Sequence, residues 1–163
     1  MSGLAAFTAF HVLLSLVGIA AGFVAVFGLI GGRWLGLWMS VFLWTTILTS
    51  VTGFMFPFKG ITPGIVLGII SLVVLAISLV ALYSKKLAGG WRTTFVISAV
   101  MALYFNFFVL IAQSFGKIPA LHALAPTESE GPFKVAQLTA LILFVMLGFL
   151  ATRNFRHAEL RTA

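Results

Sequence analysis

Residues 63–83 read PGIVLGIISLVVLAISLVALY and contain no Asp, Glu, Lys or Arg. A helix that crosses ~30 Å of hydrocarbon needs about 20 apolar residues, because it rises about 1.5 Å per residue. This stretch has that length, and Pro63 suits the first turn of a helix. We therefore predict a transmembrane helix from 63 to 83.

Four more apolar stretches surround this one and carry charged residues only at their ends. They cover about 7–30, 34–56, 91–115 and 132–152. Hydrophobic residues make up 61% of the chain, well above the about 45–50% of soluble domains. We predict a single all-α domain over 1–163, a polytopic membrane helix bundle with about five transmembrane helices.

The basic residues predict the orientation of this bundle. Five spans place the two termini on opposite sides of the membrane, so one side carries three basic residues and the other carries seven. The first set is Lys59, Lys117 and Lys134, and the second is Arg33, Lys85, Lys86, Arg92, Arg153, Arg156 and Arg161. Because cytoplasmic segments are enriched in Lys and Arg, we predict an N-terminus outside and a C-terminus in the cytoplasm.

The composition disfavours several classes of function. The net charge of +7 comes from basic residues scattered at span ends, so nucleic acid is not expected as a partner. The chain has no Cys for thiol chemistry and no Asp for a Ser-His-Asp triad. Ion-coupled carriers place ionisable residues inside spans, and His11 is the only candidate here.

Small and hydroxyl-bearing residues predict how the helices associate. Lipid offers no hydrophobic drive for association, so close packing and interhelical hydrogen bonds must supply it. Gly18 and Gly22 in the first span, and Gly64 and Gly68 in the third, form small-xxx-small patterns. The second span is rich in hydroxyls over 45–52. These hydroxyls either bond to their own backbone or form a polar seam that lines a pocket or a water path.

Intramembrane polar residues are the candidate ligand-binding residues, because an amide or imidazole in hydrocarbon must find a partner. They are His11, Asn106, Gln113 and Gln137. Except for Asn106, which lies near the middle of its span, the topology places them in the outer half of the membrane, beneath a long loop over 116–134. That loop adds the candidates His122, Glu128 and Glu130, although Thr127 to Glu130 also fits a capping box for the last span.

Two kinds of cofactor would suit such a site. His11 and His122 could ligate haem or a divalent metal, but neither has a second His at helical spacing. A quinone or a lipid headgroup asks only for hydrogen-bonding groups beside an apolar slot, which His11, Gln113 or Gln137 could provide.

The chain resembles a group of small bacterial multi-pass membrane proteins to which no activity is assigned. The resemblance rests on Val51-Thr52-Gly53-Phe54, Phe56-Pro57-Phe58, Gly68-Ile69-Ile70-Ser71-Leu72 and Leu124-Ala125-Pro126-Thr127-Glu128-Ser129-Glu130. It implies a location in the bacterial inner membrane. It carries over no functional residue.

The function expected from the sequence is that of a non-catalytic membrane protein, an accessory or structural subunit of a larger inner-membrane assembly. Its partners would be the lipid bilayer and other membrane subunits or further copies of itself. Two alternatives stay open: a redox protein that holds haem or quinone beneath the outer loop, and a small solute channel or carrier.

Overall fold

A computed structural model describes residues 3–57, 60 and 62–157 of the chain. Five long helices follow one another, and one short helix lies in the last connection. They are α1 (Gly3–Ile30), α2 (Gly36–Gly53), α3 (Pro63–Leu79, continued by a π-helical turn over Val80–Ser84), α4 (Trp91–Lys117), α5 (Pro119–Leu124) and α6 (Gly131–His157). The described residues form no strand.

The prediction of an all-α bundle with five membrane spans is confirmed. Each of the five long helices, with α3 counted together with its π-helical turn, is long and apolar enough to cross a membrane. Each exposes large apolar side chains on its outer surface, such as Leu37 on α2 and Phe149 on α6, which suits contact with lipid. The chain is an integral membrane protein. Its orientation stays a prediction, and Lys59 and Arg161, which enter the charge count, lie outside the described residues.

The ends of two spans differ from the predicted ones for local reasons. Helix α2 stops at Gly53 because Phe54 and Met55 donate backbone hydrogen bonds three residues back, to Val51 and Thr52, and tighten the last turn. The loop predicted over 116–134 contains α5, which the sequence prediction missed. Ile118 adopts the extended conformation favoured before a proline, which ends α4 and lets α5 begin at Pro119.

The tightly packed core occupies the half of the bundle away from α5. Phe42, Leu75, Phe95 and Leu103 are fully buried there, together with the second half of α1. Asn154 of α6 joins this end by donating from Nδ2 to the Ile30 carbonyl at 2.8 Å. The half beside α5 is less filled, because α1, α2, α3 and α4 separate around a cavity.

The Glu130 carboxylate closes the turn that precedes α6. It accepts hydrogen bonds from the Thr127 hydroxyl at 2.7 Å and from the backbone N–H groups of Thr127 and Ser129. The Thr127 hydroxyl, as the largest cause, holds the pKa of Glu130 below its ordinary value of 4.5. Because α6 begins only at Gly131, the bonds of the capping box predicted over Thr127 to Glu130 lie in this turn and not on the N–H groups of the helix.

We expect the stability of this turn to depend on pH. Because folding lowers the pKa of Glu130, the stabilisation is fully present above pH 4.5 and is lost as the pH falls through the lower folded pKa. Hydrogen exchange of the Thr127 and Ser129 amides should therefore accelerate below pH 4.5 in the wild type relative to Glu130→Gln. Equal pH profiles for the two proteins would contradict this role.

Candidate ligand cavity between four helices

A cavity of about 550 Å³ lies between α1, α2, α3 and α4 in the half of the bundle next to α5. It extends from Asn106 to Lys117 at the end of α4, eleven residues or about 16 Å of helix. Most of the lining surface is apolar, with aliphatic and phenylalanine side chains from α1, α3, α4 and the residues that follow α2. The main polar groups are His11, Ser15, Thr46, Thr49, Asn106 and Gln113.

The floor of the cavity is a polar cluster formed by Ser15, Thr46 and Asn106. Ser15 Oγ donates to Asn106 Oδ1 at 2.8 Å, which joins α1 to α4. Asn106 is 7% exposed and Thr46 is 2% exposed. Asn106 Nδ2 and Thr46 Oγ1 are enclosed and have no hydrogen-bond partner among the described residues. Both residues belong to the cavity lining, but the two atoms themselves are enclosed beside Gly18, so a ligand reaches them when the two side chains turn toward the cavity.

Gly18 allows these groups to come close to α1. A Cβ atom at this position would lie 3.2 Å from Thr46 Oγ1 and 3.4 Å from Asn106 Nδ2. It would also lie 2.9 Å from Thr45 Oγ1, and this distance is shorter than real Cβ atoms essentially ever show. The absence of a side chain at Gly18 therefore brings the two unpartnered groups to one point at the surface of α1.

His11 lies about one helical turn from Ser15 toward the α5 end and is joined to α2. Its Nδ1 atom is 2.8 Å from Thr52 Oγ1, and the edge of the Phe56 ring packs against the imidazole at a centroid distance of 5.1 Å. Gly53 lies beside the ring, since a Cβ there would be in ordinary van der Waals contact with His11 Cε1 at 3.7 Å. The imidazole is therefore held by three residues at the end of α2.

The other hydroxyls of α2 separate into two groups. Thr45 Oγ1 donates to the Val41 carbonyl at 2.7 Å, and Thr49 Oγ1 donates to the Thr45 carbonyl at 2.8 Å. Ser and Thr side chains can bond in this way to the carbonyl four residues back in their own helix. Thr46 makes no such bond. Thr45 and Thr49 thus follow the first predicted alternative, in which the hydroxyls bond to their own backbone. Thr46 fits the second alternative, a polar seam that lines a pocket.

The cavity has a closed end, because the packed core begins directly beneath the floor. Phe42 and Leu103 are fully buried there and contact the bare backbone of Gly22. A Cβ at Gly22 would lie 2.6 Å from Leu103 Cδ1 and 2.8 Å from Phe42 Cδ2. The packed core therefore closes the cavity at the Asn106 end, so the cavity does not continue as a path across the bundle.

The structure brings together some of the predicted site residues. His11, Asn106 and Gln113 line the cavity, with Gln113 exposed and located above the floor. Gln137 does not line it, because α6 packs on another side of α4, where Gln137 Nε2 donates to the Phe108 carbonyl at 3.1 Å. Its Oε1 is the third enclosed polar atom without a partner among the described residues.

The predicted loop residues lie outside the cavity. His122 is exposed on α5 and does not line it, so the structure does not place it with His11 as a ligand pair. Glu128 has a left-handed backbone with φ of 56°, and its Oε1 approaches Gly116. Glu130 closes the turn that precedes α6. The described residues contain no group of three or more His, Cys, Asp or Glu that could hold a metal ion.

The predicted packing glycines occupy different environments. Gly18 and Gly22 face the inside of the chain, whereas Gly64 and Gly68 line the cavity. A Cβ at Gly68 would lie 3.1 Å from Phe54 Cζ, so the Phe54 ring closes the cavity wall across α2 and α3. At Gly64 it would meet only Thr62 Oγ1, at 3.8 Å.

Sequence reasoning missed several polar lining residues, chiefly Ser71 on α3 and Lys117 at the mouth. Ser71 follows Gly64 and Gly68 at spacings of seven and three residues, so it shares their helical face. That spacing is a signal that could have placed it. Lys117 was counted only for orientation, although it ends the same helix that carries Asn106 and Gln113.

Comparison of the chain with protein families, characterised proteins and solved structures finds no match. The resemblance to small bacterial membrane proteins stays a prediction. What the cavity can bind follows from its own residues: donors and acceptors at a closed polar floor, apolar walls, and an opening near Lys117.

Proposed function

We propose that this integral membrane protein binds a lipid-soluble small molecule of the quinone class, with its polar ring at the floor of the cavity. The observation that carries this proposal is the pair of enclosed, unpartnered groups, Thr46 Oγ1 and Asn106 Nδ2. Leaving a buried polar group without a partner costs about 1–3 kcal/mol, and the penalty falls away when a ligand oxygen bonds to it.

The rest of the cavity fits the same class of ligand. Its volume of about 550 Å³ lies within the range of about 300–1,000 Å³ that is usual for small-molecule sites. Its apolar wall, which includes Leu16, Phe105 and Val109, suits a ring and the start of an alkyl tail. When the Asn106 and Thr46 side chains turn toward the cavity, an oxygen on that ring can accept a hydrogen bond from Asn106 Nδ2 and exchange another with the Thr46 hydroxyl.

The alternative functions have less support from the described residues. Haem ligation by two histidines lacks its second residue, since only His11 of the predicted pair lines the cavity. A channel would need a path where Phe42 and Leu103 pack. An accessory subunit would need a surface for other subunits, and the small-xxx-small residues Gly18 and Gly22 contact residues of this same chain.

The test compares binding of a quinone with a decyl tail to the purified wild type and to two leucine variants. Asn106→Leu removes the floor amide while keeping the branched shape of the side chain, and we expect it to weaken binding at least tenfold, which is about 1.4 kcal/mol. Gln137 is buried to the same extent as Asn106 but lies outside the cavity, so Gln137→Leu should leave the dissociation constant for the quinone unchanged.

Binding can be followed by isothermal titration in detergent and by the quinone mass retained in native mass spectrometry. A wild type that retains no quinone, or an Asn106→Leu variant that binds as tightly as the wild type, would overturn the proposal. Retention of a second polypeptide in place of a small molecule would instead favour the function of an accessory subunit.

A further inference from the structure

We propose that the cavity favours a ligand whose ring carries a hydroxyl group, a quinol or related phenol, because His11 Nε2 accepts a hydrogen bond from that hydroxyl. This inference rests on the proposed function, since it names the form of the ligand that the same cavity binds. It starts from the single hydrogen of the Thr52 hydroxyl.

The Thr52 hydroxyl uses that hydrogen within its own helix. Thr52 Oγ1 lies 2.7 Å from the Leu48 carbonyl and 3.2 Å from the Thr49 carbonyl, and a carbonyl oxygen can only accept. The hydroxyl has one hydrogen, and the short bond to Leu48 takes it. Toward His11, Thr52 can therefore act only as an acceptor.

This assignment fixes the hydrogen on the imidazole. Because Nδ1 is 2.8 Å from an atom that can only accept, Nδ1 must carry a hydrogen and donate it to Thr52 Oγ1. A neutral imidazole has one N–H, so Nε2 then has a lone pair and no hydrogen. The described residues that line the cavity include no carboxylate that would hold the ring in its charged form.

Nε2 is available to a ligand. It makes no hydrogen bond to the described residues, and it is not among their fully enclosed polar atoms without a partner. The ring lines the cavity, and its contacts with Thr52, Gly53 and Phe56 hold its orientation. The cavity thus presents a fixed acceptor on its wall about one turn of α1 above the floor, where Asn106 Nδ2 can donate once its side chain turns toward the cavity.

A quinol fits this pattern better than a quinone. Both oxygens of a quinone only accept, so a quinone can bond to Asn106 Nδ2 but places a lone pair against the lone pair of Nε2. A quinol hydroxyl donates to Nε2, while its other oxygen, across the ring, still accepts from the floor amide. The same holds for other phenols whose second oxygen lies across the ring.

The test uses three ligands with the same decyl tail: the hydroquinone, its quinone and its dimethyl ether. We expect the wild type to bind the hydroquinone at least fivefold more tightly than either of the others. His11→Asn places an amide nitrogen near Nδ1, so it can keep the bond to Thr52, but it has no group at Nε2. We expect that variant to reduce the ratio to about one while it still binds the quinone.

Thr52→Val provides the second variant, because it keeps the shape of the residue and the histidine but removes the oxygen that fixes the hydrogen on Nδ1. Its preference for the hydroquinone should also fall toward one. A wild type that binds hydroquinone and quinone equally, or a His11→Asn variant that keeps the preference, overturns this inference and leaves the proposed function standing. A wild type that binds none of the three overturns both.

Discussion

Replacement of Gly22 by leucine is expected to leave little folded protein in the membrane. A Cβ atom alone would lie 2.6 Å from Leu103 Cδ1 and 2.8 Å from Phe42 Cδ2, and both side chains are fully buried in the packed half of the bundle. Overpacking of a core typically costs about 1–3 kcal/mol, and three further carbons here place the change at or above the top of that range. The fraction that elutes as a single folded species after extraction in mild detergent measures the effect.

Two alanine variants distinguish a steric clash from a general effect of losing glycine. Gly22→Ala should lower the free energy of unfolding, whereas Gly64→Ala should be neutral, because its Cβ would meet only Thr62 Oγ1 at 3.8 Å. Leu103→Ala should be less destabilising in the Gly22→Ala background than in the wild type, since it removes one of the clashing groups. Equal losses for Gly22→Ala and Gly64→Ala would contradict the packing explanation.

This contrast shows what a membrane sequence predicts well and what it predicts poorly. The spans over 7–30, 63–83 and 91–115 follow from run length, because only about 20 apolar residues cross the hydrocarbon. Run length does not predict which face of each span packs inside the bundle, because apolar side chains suit both the lipid and the protein core. Phe42 is fully buried while Trp44, two residues on, is 52% exposed, and no polar residue marks the difference.

The candidate site was predictable in depth but not in lateral position. Topology places His11 and Thr52 at similar depths, and the structure joins them at 2.8 Å. It places Gln137 at a similar depth too, yet Gln137 lies on the side of α4 that faces α6. The choice between these outcomes depends on which helices are neighbours, and that depends on side-chain packing that the hydropathy of the spans does not specify.

The hydroxyls of α2 show the same limit at the scale of one residue. Thr45 and Thr46 are adjacent and chemically identical, and a helix turns by about 100° between them. That rotation leaves Thr45 bonded to the Val41 carbonyl at 2.7 Å and places Thr46 in the cavity floor without a partner among the described residues. The difference between a structural hydroxyl and a ligand-facing one is therefore a consequence of the bundle, and it can be measured.

Thr46→Val is expected to stabilise the protein without ligand and to weaken ligand binding. Valine has nearly the same shape, and it removes an enclosed hydroxyl that has no partner in the part of the chain that the structure describes, so the free energy of unfolding should rise by about 1 kcal/mol. The same change removes one of the two floor groups, so the dissociation constant for the decyl-tailed hydroquinone should increase about tenfold. Unfolding in mixed micelles of neutral detergent and dodecyl sulfate gives the first quantity, and titration gives the second.

The neighbouring Thr45→Val variant is the matched control, because its hydroxyl bonds to its own helix and does not line the cavity. It should change neither binding nor stability by more than about 0.5 kcal/mol. A loss of stability in Thr46→Val would mean that the hydroxyl has a partner in the folded chain, and the floor would then not be a binding site. A gain in stability with unchanged binding would mean that the hydroxyl is only a packing imperfection. If Thr46 serves ligand binding, removal of its hydroxyl should raise stability and lower affinity together. The reason is that the folded chain without ligand pays the cost of desolvating the hydroxyl, and only the ligand offsets that cost.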